Sequence, residues 1–413
     1  MEAPWKDRIV ILDGATGTNL IEQGMSAGEC TELFISENKE LLVELQREYV
    51  KAGSEILLAP TFGLNRVKLS KYGLEGRMEE LAEQLVGLTR KAADGKALVA
   101  ADLSGLGLFL APAGESTFEE LVSIYKEQVE CCLKAGVDLF FIETVMTIEE
   151  ARAALLAVKE LCDKPVAVCM TFTAGGRTIT GVDAMTALMT LQSMGADAFG
   201  MNCSTGAQDM LLHIERISPY ARIPIIAKPN AGLPETVNGK SLFTQTPEEF
   251  ARLSRLLRDV GASMLGGCCG TTPMHIKALS EELSGLGALK PVCEEGDETI
   301  IVTTANEVHF LSRAFDLSKE IECGSDMDME IMDAEGDGVS AIKISLSSRD
   351  DLEFFEENAY LIKLPVLIDT QDIDLLESAA RLYQGRLMFD KAEHEPASPE
   401  LIRLQNKYGL III

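Results

Sequence analysis

Positive charge is what this chain has least of. Lysine and arginine number 37 against 65 acids, a formal net charge of −28 over 413 residues. That balance argues against nucleic acid or an anionic membrane surface as a partner, because both repel an acidic protein. Long hydrophobic runs are also missing, and none approaches the roughly 18 residues of a membrane-spanning helix. The start, Met1-Glu2-Ala3-Pro4-Trp5-Lys6-Asp7-Arg8, lacks the basic-then-apolar layout of a secretory leader. Ten cysteines without such a leader are expected to be reduced thiols in a cytoplasmic setting, available for metal binding or core packing. Histidine is rare, four residues in all, and aromatics make up only 6%. With 46% apolar residues the chain can still bury a large core, and its length suits two or three domains.

What is present is a repeated pattern. Short apolar runs occur at residues 8–12, 54–58, 97–101, 139–142, 166–170, 198–201, 224–228 and 263–265. Runs of this kind read as parallel strands buried on both faces. Helix-like stretches precede them, among them 41–52, 118–135 and 247–260. Four of these helices close on Gly53, Gly136, Gly195 and Gly261, the expected left-handed caps. Eight strand-helix units predict an α/β fold, a (β/α)8 barrel over residues 1–290. No GxGxxG follows the first strand, which disfavours an open doubly wound sheet. Glycine and acids mark 291–298 as a linker. Residues 299–413 predict a small α/β domain, with strands at 299–303, 341–346, 365–368 and 410–413, too short for a second eight-unit barrel.

Two cysteine motifs stand out. Gly266-Gly267-Cys268-Cys269-Gly270-Thr271-Thr272-Pro273 places adjacent thiols between glycines, and Gly200-Met201-Asn202-Cys203-Ser204-Thr205-Gly206 places a third. Neighbouring cysteines do not readily form a disulfide with each other. Flanking glycines let backbone approach a bound atom closely. Three sulfurs with an open fourth position describe a catalytic zinc site, whereas a structural site closes all four. Both motifs follow strands, as do Asp13 and Glu143, so a barrel would bring all of them to one rim. On spacing alone, packing as small hydrophobes explains the three cysteines as well as zinc does. Packing is the expected role of Cys30, Cys131, Cys132, Cys162, Cys169, Cys293 and Cys323. The loop Gly14-Ala15-Thr16-Gly17-Thr18 is either a backbone cradle for a carboxylate or a tight strand-to-helix turn. Asp13 and Glu143 either hold an amino group or form rim salt bridges or caps. His275 reads as a packing or capping residue.

Six ordered motifs add a resemblance. Ile11-Leu12-Asp13-Gly14-Ala15-Thr16-Gly17-Thr18, Pro60-Thr61-Phe62-Gly63, Glu143-Thr144, Met201-Asn202-Cys203-Ser204, Lys228-Pro229-Asn230-Ala231-Gly232 and the paired-cysteine motif run across residues 8–283. Together they resemble the homocysteine S-methyltransferase family, which includes the homocysteine module of cobalamin-dependent methionine synthase. The resemblance implies a (β/α)8 barrel with Zn²⁺ on Cys203, Cys268 and Cys269 and the substrate thiol as fourth ligand. It implies methyl transfer to homocysteine to form methionine. It also implies homocysteine contacts at Asp13, Gly14, Ala15, Thr16, Gly17 and Glu143, with Asn202 nearby. Ala59-Pro60 departs from the Thr-Asn usual before Thr-Phe-Gly. Leu103-Ser104-Gly105-Leu106-Gly107 stands where Gly-Pro-x-Gly is usual.

The scarcity of aromatics argues against a quaternary ammonium methyl donor, which is usually held in an aromatic cage. His213, His275, His309 and His394 fit no DxHxxG cobalamin signature. The donor is therefore expected to be a separate methylcorrinoid protein or a methylated small molecule. Segments 365–372 and 377–386 resemble part of a pterin-binding barrel, which marks the C-terminal domain as a truncated form that no longer binds folate and docks a partner. Two alternatives stay open: a non-catalytic zinc-binding scaffold subunit of a methyl-transfer complex, and a methyltransferase for a different thiol.

Overall fold

The computed structural model describes residues 5, 7–203, 206–237, 240–289, 299–391 and 398–413. They fall into two compact units, Met1–Ile179 with Ala196–Val292, and Thr180–Gly195 with Cys293–Ile413. The expected linker and Cys293 lie outside the described residues, as does His394.

Eight parallel strands form the first unit: β1 (Val10–Ile11), β2 (Ile56–Ala59), β3 (Leu98–Ser104), β4 (Leu139–Val145), β5 (Val166–Met170), β6 (Ala198–Asn202), β7 (Ile225–Lys228) and β8 (Ala262–Leu265). Each falls on one of the apolar runs. β1 pairs with β8 through Val10–Met264 and Ile11–Leu265, and the other strands pair in chain order from β2 to β8. A bridge from Leu12 to Ile56 joins β1 to β2 and closes the ring. The chain thus forms the expected (β/α)8 barrel. Side chains from all eight strands fill its interior, including Val10, Ile56, Ala100, Phe141, Ala167, Ala198, Ile226 and Met264, with Trp5 packed among them. Buried on both faces, the strands need no alternation of polar residues, which is why the sequence shows continuous runs.

The glycines predicted as caps adopt positive φ: +110° at Gly53, +85° at Gly136, +86° at Gly195 and +121° at Gly261. Side chains cap several helix starts in turn, as Thr117 does for Phe118–Ala135 by accepting a hydrogen bond from Glu120 N. After β7 the chain makes a short antiparallel hairpin, Glu235–Val237 with Lys240–Leu242, that the sequence did not signal.

The second unit holds five parallel strands, β11 (Leu317–Glu322), β12 (Ala341–Ser345), β13 (Val366–Asp369), β14 (Met388–Phe389) and β15 (Ile411–Ile412), ordered as in the chain. An antiparallel pair precedes them, β9 (Thr299–Thr303) with β10 (Val308–Ser312). Val302 and Leu311 of that pair form one buried cluster with Ala341, Leu367 and Met388. The helix Ala184–Ser193 belongs to this unit, although its sequence lies between two barrel strands. Thr190 Oγ1 there lies 2.9 Å from Thr303 Oγ1. Among the described residues no helix is long and apolar enough to cross a membrane.

Candidate metal and substrate centre

Three loops at the C-terminal ends of barrel strands build the site. Cys203 follows β6 directly and sits at φ +58°, a conformation rarely taken by residues with a side chain. Its N–H donates to Lys228 O at 3.2 Å, tying it to the end of β7. Gly200 lets these strands approach: a Cβ there would stand 1.9 Å from Ile226 O. The paired-cysteine loop is pinned from both sides. Cys268 N donates to Pro229 O at 2.9 Å, Gly267 N to Asp13 O at 3.0 Å and Gly270 N to Thr18 Oγ1 at 3.2 Å. Gly267 also has no room for a side chain, since a Cβ would come within 2.3 Å of Thr271 Oγ1.

The result brings Cys203, Cys268 and Cys269 together, with all three sulfurs within 4.8 Å of one another and Cys203 and Cys269 3.9 Å apart. Zinc–sulfur bonds of about 2.3 Å in a tetrahedron require sulfurs roughly 3.8 Å apart, so the trio suits one such ion. The chemistry of the donors agrees. Hydrogen bonds from Cys203 and Cys269, followed by burial, hold the Cys268 thiol well above its ordinary pKa. Cys269 is pushed up to about 12, chiefly by its contact with Cys203. Crowded thiols resist ionising beside one another, and a divalent cation reverses that preference.

Beneath the sulfurs lies a buried charge cluster. Lys228 Nζ, at the end of β7, is 2.5 Å from Glu143 Oε2, with side chains only 2% and 10% exposed. Burial works against the Lys228 ammonium, but Glu143 and Asp13 outweigh it and hold the lysine charged. Glu143 gets its position from an irregularity in β4, where the register with β5 shifts between Ile142 and Val145 and Thr144 turns to φ +57°. Asn202 clamps that kink, accepting from Thr144 N at 2.9 Å and donating to Thr144 Oγ1 at 2.8 Å. Its amide also lies 3.9 Å from Cys268 Sγ. Asp13 Oδ2 accepts from Leu58 N at 2.8 Å, while its Oδ1 is buried without a partner, as is Asp102 Oδ1. Burial raises Asp13 from 3.8 to about 7, against the pull of Lys228. Desolvation also holds Asp102 well above its ordinary range.

These groups edge a cavity of about 510 Å³ lined by the three cysteines, Glu143, Lys228 and Asp102. Gly14, Ala15, Thr16 and Gly17 line it too, whereas Asp13 and Asn202 stand behind its wall. The Ala15 N–H is already committed to Thr271 Oγ1 at 3.1 Å, so that donor is not free for a ligand. Gly14 answers to packing: a Cβ would come within 2.8 Å of Thr271 Oγ1 and Tyr49 OH. His275 caps its own helix through Thr272, with its other ring nitrogen 3.0 Å from Gln245 O. Among the remaining cysteines, Cys132 and Cys169 are buried and Cys131, Cys162 and Cys323 half-buried. Cys30 is buried as well but lines the cavity.

Lys228 and Asp102 were missed as functional candidates. Each was legible as a charge in or at the end of an apolar run, a position where a buried strand has no other use for one.

The profile of the homocysteine S-methyltransferase family matches residues 10–283. Methionine synthase of Mycobacterium tuberculosis (strain ATCC 25618 / H37Rv) is 28% identical over 297 residues, 68% of this chain and 25% of that protein. Methionine synthase of Mycobacterium leprae (strain TN) is 29% identical over 291 residues, 66% of this chain and 24% of that protein. The chain thus spans about a quarter of the length of these curated relatives. The crystal structure of the homocysteine methyltransferase MmuM from Escherichia coli, metallated form, superposes with a TM-score of 0.58 at 23% identity. That match covers 67% of this chain and 96% of that one, and at this identity it speaks to the fold.

Proposed function

The chain belongs to the homocysteine S-methyltransferase family, and from that premise we propose that it methylates the thiol of homocysteine, forming methionine, with zinc held by Cys203, Cys268 and Cys269. The observation that carries this reading is the gathering of those three sulfurs on the wall of an open cavity above buried carboxylates. Zinc bound there would keep a coordinating thiol deprotonated and its sulfur electron-rich, the state that attacks a methyl group.

The chain's own residues set the rest. Glu143 faces the cavity and is fixed by Lys228, so its carboxylate is placed to receive the substrate ammonium. Asn202 holds the Thr144 kink that aims Glu143, acting on the substrate through that residue. Burial holds protons on Asp13 and Asp102 beneath the same point, and an ammonium bound there would draw both toward ionisation. The methyl donor reaches the sulfur from the open side of the cavity, and a separate methylcorrinoid protein or a methylated small molecule fits that access. We read the second unit, with its parallel strands side by side in chain order, as a pterin-barrel-like segment that docks a partner and does not bind folate. Tight folate binding in a calorimetric titration would refute that part.

The test is direct. Zinc-loaded protein is given homocysteine with methylcobalamin, S-methylmethionine, betaine or methyl-folate in separate reactions, and methionine is measured. Cys268→Ala is run beside it. Methionine formed from one donor by the wild type and lost in the variant supports the reading. A thiol-dependent change in the zinc X-ray absorption edge without turnover would favour the scaffold alternative.

A further inference from the structure

Two lysines besides Lys228 line the cavity. Lys71 is exposed, but Lys68 is drawn inward from the short helix Arg66–Leu69. Its Nζ sits 4.5 Å from the centre of the Phe62 ring and donates to Ser104 Oγ at 2.5 Å. Ser104 is itself fixed, donating to Phe62 O. Among the described residues no carboxylate lies within 4 Å of this ammonium. Two of the acids that attract it, Glu32 and Glu150, are engaged elsewhere. Glu32 Oε1 accepts from Gly63 N at 2.6 Å, and Glu150 Oε1 accepts from Leu106 N at 2.7 Å and Gly107 N at 2.8 Å. Asp102 attracts it as well, and Lys71 repels it.

An ammonium has three donors, and here one is used. Placing it in a half-buried cavity without a counter-ion is unfavourable, because burial weakens the charged form. That arrangement makes sense if a ligand brings the anion. The alternative anion holder, the loop after β1, has already given its Ala15 N–H to Thr271. Ser104 ends β3 and pairs in register with Glu143 on β4, so the lysine's partner is held on the barrel rim.

We infer that Lys68 pairs with the carboxylate of the bound thiol, restricting the site to thiols that carry an anionic group. The inference rests on the thiol-methylation reading and deepens it: the Cys trio takes the sulfur, Glu143 the amine and Lys68 the acid. A charge-assisted hydrogen bond of this kind corresponds to about a tenfold change in affinity or more.

Cobalt(II)-loaded protein reports thiol binding by its sulfur-to-metal absorption, without any turnover. L-Homocysteine is titrated against its decarboxylated analogue, 3-aminopropane-1-thiol, with wild type, Lys68→Met and Lys68→Arg. The wild type should bind homocysteine about tenfold more tightly than the analogue, or better. Lys68→Met should erase that preference by weakening homocysteine alone, and Lys68→Arg should keep most of it. Equal binding of the two thiols by the wild type overturns the inference without any variant. So does undiminished homocysteine binding by Lys68→Met, or equal loss of both thiols. Metal-loaded wild type that binds neither thiol refutes the methylation reading itself, and this inference with it.

Discussion

Asp13 offers a quantitative test of the buried cluster. Its carboxyl is buried, with Oδ1 unpartnered, and burial raises its pKa from 3.8 to about 7. The sign follows from proton binding. Between those two values the folded protein holds a proton on Asp13 that the unfolded chain has lost. Stability from this group is therefore fully present below about pH 3.8 and is lost as pH rises through about 7. The difference is about 3 pKa units, and at about 1.36 kcal/mol each it amounts to about 4 kcal/mol. Asp13→Asn removes the titration yet leaves an oxygen to accept from Leu58 N. The assay is urea unfolding of reduced, metal-free protein followed by tryptophan fluorescence. Trp5 is the single tryptophan, 1% exposed in the barrel core with Nε1 donating to Asp197 O, so its signal reports this unit. The stability of Asp13→Asn minus wild type should climb by up to about 4 kcal/mol from pH 4 to pH 7.5. A flat difference across that window would show that Asp13 is ionised in the folded protein and would refute the reasoning.

Zinc uptake by the metal-free protein at pH 7 should release at least two protons, because Cys268 and Cys269 both start as thiols; calorimetry in buffers of different ionisation enthalpy counts them. Lys228→Met should destabilise the barrel by about 3–5 kcal/mol by stranding Glu143, and Glu143→Gln by less, since Asp13 can then ionise to serve Lys228; Trp5-monitored unfolding ranks the two. Gly200→Ala should destabilise by about 1–3 kcal/mol or more and weaken zinc retention, because the added methyl forces β6 away from Ile226 O and carries Cys203 with it.

The barrel was legible because its strands are buried on both faces, leaving runs such as Val166–Met170 with nothing polar to disguise them. β11 was not, because Leu317-Ser318-Lys319-Glu320-Ile321-Glu322 lies at the edge of its sheet with mostly exposed side chains, and its charges read as loop. β14 is two residues long, below what any periodicity can signal. The cysteine trio could be read because glycines frame it. Glu143 was found by motif, but the kink that aims it depends on Asn202 reaching Thr144 from another strand, 58 positions away. Lys68 carried no signal of its own. One lysine in Arg66-Val67-Lys68-Leu69 looks like any solvated helix charge until Ser104 and Phe62 are seen to draw it inward.

Charge explains why these parts belong together. Three thiolates around a divalent cation carry −1, and a fourth thiolate makes −2. Such a site needs a fixed positive charge nearby that does not itself bind the metal. Lys228 meets both conditions: its Nζ is engaged by Glu143 at 2.5 Å, and Cys268 is among the groups that favour its charged form. A lysine that depended on the sulfurs alone would gain and lose its partner with every metal or substrate exchange. The carboxylates keep it cationic throughout, which makes their burial useful to the chemistry above them. Glu143 then faces the cavity, with Asp102 beside it on the lining and Asp13 behind, each of the two aspartates keeping an unpartnered oxygen and a raised pKa. A ligand that joins a thiol to an ammonium complements both layers at once, sulfur toward the cysteines and nitrogen toward the acids.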